Sequence, residues 1–156
     1  MTAHQARRAL PETELEADPV LPSKDELLAA LRGHYLDGPL CAEAHALAEL
    51  HRARRGTPAR AAEFDGYRRD LVRRIDSWVR RNLPAPRPGV RRHPETLGAV
   101  IDRMAAASAR AFDLLMTIDP GSDEMHAAWT ALAEQEIGYG EVVAALERGW
   151  LALPPR

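Results

Sequence analysis

The sequence lacks the features that mark secreted and membrane proteins. Cys41 is the only cysteine, so no internal disulfide can form, which fits a reducing compartment. No stretch approaches the roughly 20 apolar residues of a membrane helix, because charged residues recur every few positions. The first 22 residues are rich in acidic residues and lack the apolar core of a signal peptide. We therefore expect a soluble, cytoplasmic protein that does not associate with membranes.

Signatures of common enzyme and cofactor sites are also missing. The sequence has no Walker loop, no Gly-x-Gly-x-x-Gly turn and no Gly-x-Ser-x-Gly elbow. It also lacks the Glu-x-x-His pairs that bind two metal ions inside ferritin-like bundles. His45 and Glu49 have a spacing that could share a metal, but a pair on the helix surface is the favoured interpretation. We expect no metal and no cofactor, and the sequence leaves open whether the protein is an enzyme.

Lysine is almost absent, and the arginines that replace it are unevenly placed. Lys24 is the only lysine among 21 basic residues. Residues 52–92 contain thirteen arginines and four acidic residues, a formal charge of +9, which leaves −11 for the rest of the chain. This segment is either a nucleic-acid footprint or one face of a bundle that is complementary to another. We favour the second interpretation, in which the arginines face acidic residues of the last helix: Glu134, Glu136, Glu141 and Glu147.

The hydrophobic pattern predicts an all-α protein, an antiparallel bundle of about four long helices plus a short N-terminal helix. Ser23 and Glu26 form a capping-box signature at the start of the short helix. No segment shows the two-residue period of a strand. We predict a flexible N-terminal arm over residues 1–22 and a single helical-bundle domain over residues 23–156. The long helices are expected at about 39–55, from 58 to before Pro84, from about 95 to 118, and after a cap at Ser122.

Two of the long helices carry apolar seams, and their connections fix the expected direction of packing. The proline-rich segment 84–94 and the short turn 119–121 each allow an antiparallel return, so the third, fourth and fifth helices should alternate in direction. The fourth helix has a heptad seam at Leu97, Ile101, Met104, Ser108, Ala111, Leu115 and Ile118. The fifth continues the alternation at Met125, Trp129, Leu132, Glu136, Tyr139, Val143, Leu146 and Trp150.

Two motifs occur close together in the middle of the chain. The first is Arg68-x-Asp70 followed by Ile75-Asp76, and the second is Glu95 followed by Ile101-Asp102-Arg103. Together they resemble a bacterial family of helical proteins of unknown function, over roughly residues 40–154. The resemblance includes the final Gly-x-x-x-Leu-Pro at residues 149–154. An aromatic and acidic motif of the family's first long helix is not recognisable here, where Glu49 and His51 are loose counterparts. The resemblance implies a fold and no known reaction.

The two Ile-Asp steps predict a shared polar layer. Asp76 and Asp102 lie equally far from the linker, and Glu136 and Tyr139 of the last helix should reach the same height. Two buried carboxylates require a cation, and Arg103 is the expected partner. We therefore expect Asp76 and Asp102 to be substantially buried, with at least one bonded to an arginine. Secondary candidates for a site are Arg68, Asp70, Arg73 and Glu95.

Three functions remain open. The leading hypothesis is a non-enzymatic helical protein that acts by self-association or through a protein partner, because Trp150, Leu151 and Leu153 form an apolar C-terminal segment that we expect to be exposed. The second is an enzyme or small-molecule binder with a charged site inside the bundle, formed by Asp76, Asp102, Arg103 and Glu136. The third, and least favoured, is nucleic-acid binding by the arginine-rich third helix.

Overall fold

The computed structural model describes residues 20–117 and 121–155, and it confirms the all-α bundle. Ile118, the predicted end of the heptad seam, lies outside the described residues. Within the described part of the chain, no helix combines the length and hydropathy needed to cross a membrane. The elements are α1 (Lys24–Leu31), α2 (Cys41–Gly56), a 3-10 turn (Pro58–Arg60), α3 (Ala61–Asn82), β1 (Arg91–Arg92), α4 (Leu97–Thr117), α5 (Asp123–Glu147) and β2 (Leu151–Ala152).

Helix α4 is the centre of the bundle. It packs against α2, α3 and α5, while the short helix α1 closes the side between α2 and α5. Helices α3 and α5 both contact α4 but have no pair of Cα atoms within 8 Å of each other. The prediction that the acidic residues of α5 face the arginines of α3 is therefore wrong. The cause is geometric, because α4 separates the two helices.

The predicted directions of the last three helices are confirmed by contacts along their length. Between α3 and α4, Arg68 contacts Asp102 and Asp76 contacts Gly98. Residue numbers rise along one helix as they fall along the other, so the two helices are antiparallel. Between α4 and α5, Arg103 bonds Gln135, and the Phe112 and Trp129 rings meet edge to face. The chain therefore reverses direction at both connections.

The caps and most of the seams also agree with the sequence pattern. Ser23 and Glu26 form the reciprocal capping box, and the Ser122 hydroxyl accepts a hydrogen bond from the Met125 amide. Leu115 departs from the predicted α4 seam, since its side chain is 45% exposed. The seam residues that are buried as predicted are Leu97, Ile101, Met104, Ser108 and Ala111 in α4, and Met125, Leu132, Tyr139, Val143 and Leu146 in α5.

The linker between α3 and α4 is fastened by the segment after α5. Strand β1 pairs in parallel with β2, a pairing that the sequence pattern did not predict. The Arg87 amide donates to the Gly149 carbonyl, and the His93 amide donates to the Ala152 carbonyl. This segment is not the exposed apolar tail we expected, because Leu151 is buried and Leu153 packs against the core. Of the three apolar residues there, only Trp150 is exposed, with Arg87 lying over its ring.

The predicted N-terminal arm ends before residue 21. Leu21 is buried and its amide donates to the Glu147 carboxylate. The carbonyl of Pro22 accepts a hydrogen bond of 2.8 Å from the Tyr139 hydroxyl. Residues 21 and 22, which the sequence pattern places in the flexible arm, therefore pack on α5, and residues 1–19 of the predicted arm lie outside the described residues.

The crossing of α3 and α4 requires a residue without a side chain at Gly98. A Cβ atom there would lie 2.7 Å from the Val72 carbonyl oxygen and 2.6 Å from the Asp76 Oδ1 atom. Both distances are shorter than real Cβ contacts, and one of the two atoms is backbone. The helices can approach this closely only because position 98 is glycine.

We predict that Gly98→Ala destabilises the protein by about 1–3 kcal/mol, since the added methyl group forces α3 and α4 apart. Gly138 provides a matched control, because it is also inside a helix but a Cβ atom there meets nothing within 4 Å. Gly138→Ala should stabilise the protein by about 0.5–1 kcal/mol, from helix propensity alone. Urea unfolding of both variants measures the difference. Equal effects of the two substitutions would contradict the close crossing.

Candidate functional site

A partly buried, paired polar contact joins the middle of α3 to α4. Arg68 donates two hydrogen bonds to the Asp102 carboxylate, from Nη2 to Oδ2 at 2.7 Å and from Nε to Oδ1 at 3.2 Å. This paired geometry is the strongest that a guanidinium and a carboxylate adopt. Asp102 is largely buried, with 16% of its side chain exposed, and Arg68 is 25% exposed. The contact is therefore only partly screened by solvent.

Helix α2 adds a third side chain to the same carboxylate. His51 Nε2 lies 2.8 Å from Asp102 Oδ1, and because a carboxylate only accepts, the histidine nitrogen must carry the hydrogen. Burial alone would raise the pKa of Asp102, but the hydrogen bonds from His51 and Arg68 outweigh burial and lower the pKa from 3.8 to about 2. Asp102 is therefore a carboxylate at neutral pH, and it ties three helices together.

A second carboxylate continues this network toward the surface. Asp65 accepts from Arg68 at 2.5 Å and from Arg54 at 3.0 Å. Hydrogen bonds from Arg54 and Arg68 lower the pKa of Asp65. The chain of contacts from Arg54 through Asp65, Arg68 and Asp102 to His51 alternates hydrogen-bond donors and carboxylates across α2, α3 and α4. We call these five residues the charge cluster.

The other Ile-Asp step makes a different contact between the same two helices. Asp76 Oδ1 accepts a hydrogen bond of 2.8 Å from the Gly98 amide, one of the unpaired donors in the first turn of α4. Ile75 and Ile101, which precede the two aspartates, are fully buried. Each Ile-Asp step therefore places its isoleucine in the core and its aspartate on the neighbouring helix. We call the two contacts, Arg68–Asp102 and Asp76–Gly98, the hairpin clasp.

The predicted polar layer forms only in part. Asp102 bonds an arginine, as expected, but the arginine is Arg68, and the choice of Arg103 is wrong. Arg103 is 48% exposed and bonds the side chains of Glu95 and Gln135. It points away from α3 because residue 103 lies about 100° around α4 from Asp102.

The α5 members of the predicted layer lie apart from the clasp. Tyr139 is fully buried, but its hydroxyl bonds Pro22, and burial raises its pKa. The side chain of Glu136 forms no hydrogen bond or ion pair within the described residues, and α5 does not contact α3. Counting residues from the turns gave similar heights along the bundle, but it could not tell which helices are neighbours.

The secondary candidates divide between the clasp and the surface. Arg68 is central to the clasp, whereas Asp70 and Arg73 form an exposed ion pair within α3. Glu95 pairs with Arg103 at the surface, just before α4 begins. Sequence analysis missed three members of the charge cluster, His51, Asp65 and Arg54. The available signal was His51 itself, a polar residue that continues the helical spacing of the apolar residues Ala44 and Leu47 in α2.

A groove beside the charge cluster is the cavity closest to the predicted site. Its volume is about 450 Å³, and it lies between α3 and α4. Asp65, Arg68 and Asp102 line it together with Arg69, Val72, Arg73 and Ala99. Among the residues that the structure describes, no three His, Cys, Asp or Glu side chains are placed to hold a metal ion. The polar atoms of Asp102 and Arg68 face each other, so the arrangement is that of a structural ion-pair network.

We predict that Asp102 makes stability pH-dependent in the acid range. Its folded-state pKa is lowered, so its contribution is fully present above the unfolded value of 3.8 and is lost as the pH falls through about 2. The shift corresponds to about 2 kcal/mol. Urea unfolding of the wild type and of Asp102→Asn should differ by at least this amount at pH near 6, and the difference should shrink toward pH 2. Parallel stability profiles for the two proteins would refute the assignment.

We predict that Arg68 matters far more to stability than Arg103. Arg68→Ala leaves the Asp102 and Asp65 carboxylates short of a cation and should cost about 2–4 kcal/mol. Arg103→Ala removes an exposed ion pair and should cost less than about 1 kcal/mol. The two variants change the same residue type, so thermal and urea unfolding compare them directly. A larger loss from Arg103→Ala would show that the network has been assigned to the wrong arginine.

Comparison with known proteins gives one match, to a family model that covers less than half of the chain. No significant match to a curated protein or to a solved structure was found. A family model described as "Protein of unknown function (DUF4254)" matches residues 59–128, which include Arg68, Asp76 and Asp102 but not His51. The match spans α3, the linker, α4 and the start of α5. A DUF4254 domain, a domain of unknown function, is therefore found at the helical hairpin that the clasp holds together.

Proposed function

We propose that this protein is a non-enzymatic, cytoplasmic helical protein that works by head-to-tail association with further copies of itself. The basic face of α3 in one copy would bind the acidic face of α5 in the next. The single observation that carries the proposal is the separation of these two helices by α4, which leaves their charges without each other as partners. The unequal charge noted in the sequence is thus presented on two separate surfaces.

The basic face is formed by α3 arginines that project into solvent. Of the six arginines in α3, Arg68 belongs to the clasp and Arg73 pairs with Asp70 on the same helix. Two others, Arg74 and Arg81, are exposed, and their side chains make no hydrogen bond or ion pair within residues 20–117 and 121–155, whereas Arg69 lines the α3–α4 groove. Tyr67, half exposed, lies in line with Arg74 and Arg81 at heptad spacing. This stripe carries two cations on the C-terminal side of an aromatic side chain.

The acidic face belongs to a helix that contains no lysine or arginine. Helix α5 has six acidic residues, and Glu134 and Glu141 are exposed without an ionic partner in the described chain. Ile137, which is 54% exposed, lies one turn from each of them on the same side of the helix. Glu134 and Glu141 are seven residues apart on α5, the same spacing that separates Arg74 and Arg81 on α3. Opposed charges of this kind steer association and set its orientation.

Head-to-tail contact has a definite consequence for the size of the assembly. Because the two faces differ, each copy uses one face for each neighbour, and the result is a closed ring or an open filament. The attraction is between exposed charges, so it should weaken as salt shortens the screening length from about 30 Å at 0.01 M to about 3 Å at 1 M.

The alternative of an enzyme or small-molecule site at Asp76, Asp102, Arg103 and Glu136 has less support. These residues do not share one cavity, and the Asp102 carboxylate is already occupied by Arg68 and His51. Nucleic-acid binding by the α3 arginines would use the same basic face as self-association. It would show as an oligonucleotide affinity that falls steeply with salt and needs Arg74 and Arg81, without any association of the free protein.

We predict that reversing the charge of either face abolishes self-association. One variant, Arg74→Glu with Arg81→Glu, lacks the basic face, and another, Glu134→Arg with Glu141→Arg, lacks the acidic face. Each should be monomeric alone by light scattering at low salt, where the wild type associates. An equal mixture should associate into assemblies larger than a heterodimer in which the two variants alternate, since the two unchanged faces attract each other and the two reversed faces do so as well.

A variant with all four reversals is the matched control. Its net charge equals that of the wild type, and its basic and acidic faces are exchanged, so association should return. A wild-type protein that stays monomeric at high concentration and low salt would end the proposal. A mixture that stays monomeric while the wild type associates would place the contact elsewhere on the surface.

A further inference from the structure

A second cavity lies further along α4 than the groove at the clasp, where the end of α1 meets α2 and the second half of α4. Its volume is about 300 Å³, within the range of small-molecule sites. Leu31, Ala48 and Ala109 are buried in its wall, together with the hydroxyl-bearing Ser108. Leu115 and Met116 stand at the rim with exposed side chains. The exposed side chain of Leu115, which departs from the predicted α4 seam, thus forms part of the apolar rim of this cavity.

The cavity also contains the cation Arg32, which forms no ion pair within the described residues; Asp25, on α1, lines a neighbouring space together with Arg32. The Arg32 guanidinium lies 4.1 Å above the Phe112 ring. Arg32 has no hydrogen bond to its side chain and no ion pair in the part of the chain that the structure describes. Arg52, the other arginine of the wall, is close to both Glu49 and Asp113. Arg32 therefore keeps its five donors free at the edge of an apolar space.

An adjoining cavity extends the apolar surface past Arg32. It is about 310 Å³ in volume and shares Arg32, His34 and Phe112 with the 300 Å³ cavity just described. Trp129 and Leu132 of α5 form its far wall, and the Phe112 and Trp129 rings pack edge to face at 4.8 Å. The stacked pair of Arg32 and Phe112 stands between the two spaces. A long apolar chain has room on either side of this cation.

We propose that the 300 Å³ cavity between α1, α2 and α4 binds a small amphiphilic anion, a molecule with one anionic head group and an alkyl tail of medium length. The head group would be bound by the Arg32 fork, which suits the paired oxygens of a carboxylate or a phosphate. The tail would lie against Leu31, Ala48 and Ala109, where transfer from water favours each methylene group. This site uses α1, α2 and α4, and it is independent of the charged faces proposed for self-association.

The test is a comparison of head groups with one tail. Octanoate, octyl phosphate and neutral octanol are titrated into the full chain and followed by calorimetry and by backbone amide shifts. We expect at least one of the two anions to bind about tenfold more tightly than octanol, with the largest shifts at Arg32, Ala48 and Ala109. The tighter of the two anions identifies the preferred head group. Equal affinity for the anions and octanol, or no binding of any probe, would overturn the proposal.

Two substitutions of the same kind locate the anion. Arg32→Gln should abolish the preference for the anions and leave octanol binding unchanged. Arg69→Gln removes another exposed arginine without an ionic partner in the described chain, at the α3–α4 groove, and should leave all three affinities unchanged. If Arg69→Gln abolishes the preference and Arg32→Gln does not, the anion binds at the clasp groove and this proposal fails.

Discussion

The bonding of Arg68 to Asp102 is the interaction on which the arrangement of the other helices depends. Asp102 lies on α4, the helix that contacts every other long helix, and its carboxylate is held at once from α2 and from α3. An unpaired carboxylate at this depth would be costly, so the three helices must keep the relative heights that supply its partners. The Asp76–Gly98 contact then fixes the start of α4, and Gly98 allows the approach that makes both bonds possible. Polar specificity and close packing are thus concentrated on one hairpin.

The same hairpin explains how the molecule can be near neutral overall and strongly asymmetric in its surface charge. Three carboxylates, Asp65 and Asp76 on α3 and Asp102 on α4, are bonded to groups of α2, α3 and α4. The arginines that remain unmatched are on the outer side of α3, and the unmatched acids of α5 are beyond α4. A bundle in which α3 touched α5 would have neutralised both sets. The order of helices around α4 therefore determines the surface as much as the composition does.

Sequence reasoning succeeded where the chemistry was local and failed where it required knowing the neighbours. The caps at Ser23 and Ser122 and most of the α4 seam follow from spacing along one helix, and the turn lengths fixed the antiparallel order. The choice of Arg103 over Arg68 failed because spacing along one helix fixes the angle between two side chains, but it does not show which neighbouring helix each side chain faces. His51 lies on α2 and Asp65 lies on α3, so no periodicity along α4 relates either residue to Asp102. The apolar residues Leu151 and Leu153 were assigned to solvent because nothing local reveals the β1–β2 pairing.

The pairing of the α3–α4 linker with the segment after α5 has a consequence for the order in which the molecule is completed. Arg87 and Arg92 bond carbonyl groups 61 residues further along the chain. During synthesis, the linker leaves the ribosome before α4 and α5, and its partner strand follows both of them. The nascent chain therefore has a period in which the hairpin can close while its proline-rich connection is still unsupported and open to proteases. Completion of β2 ends that period, and it converts the loop into part of the folded body by joining the two edges of the bundle.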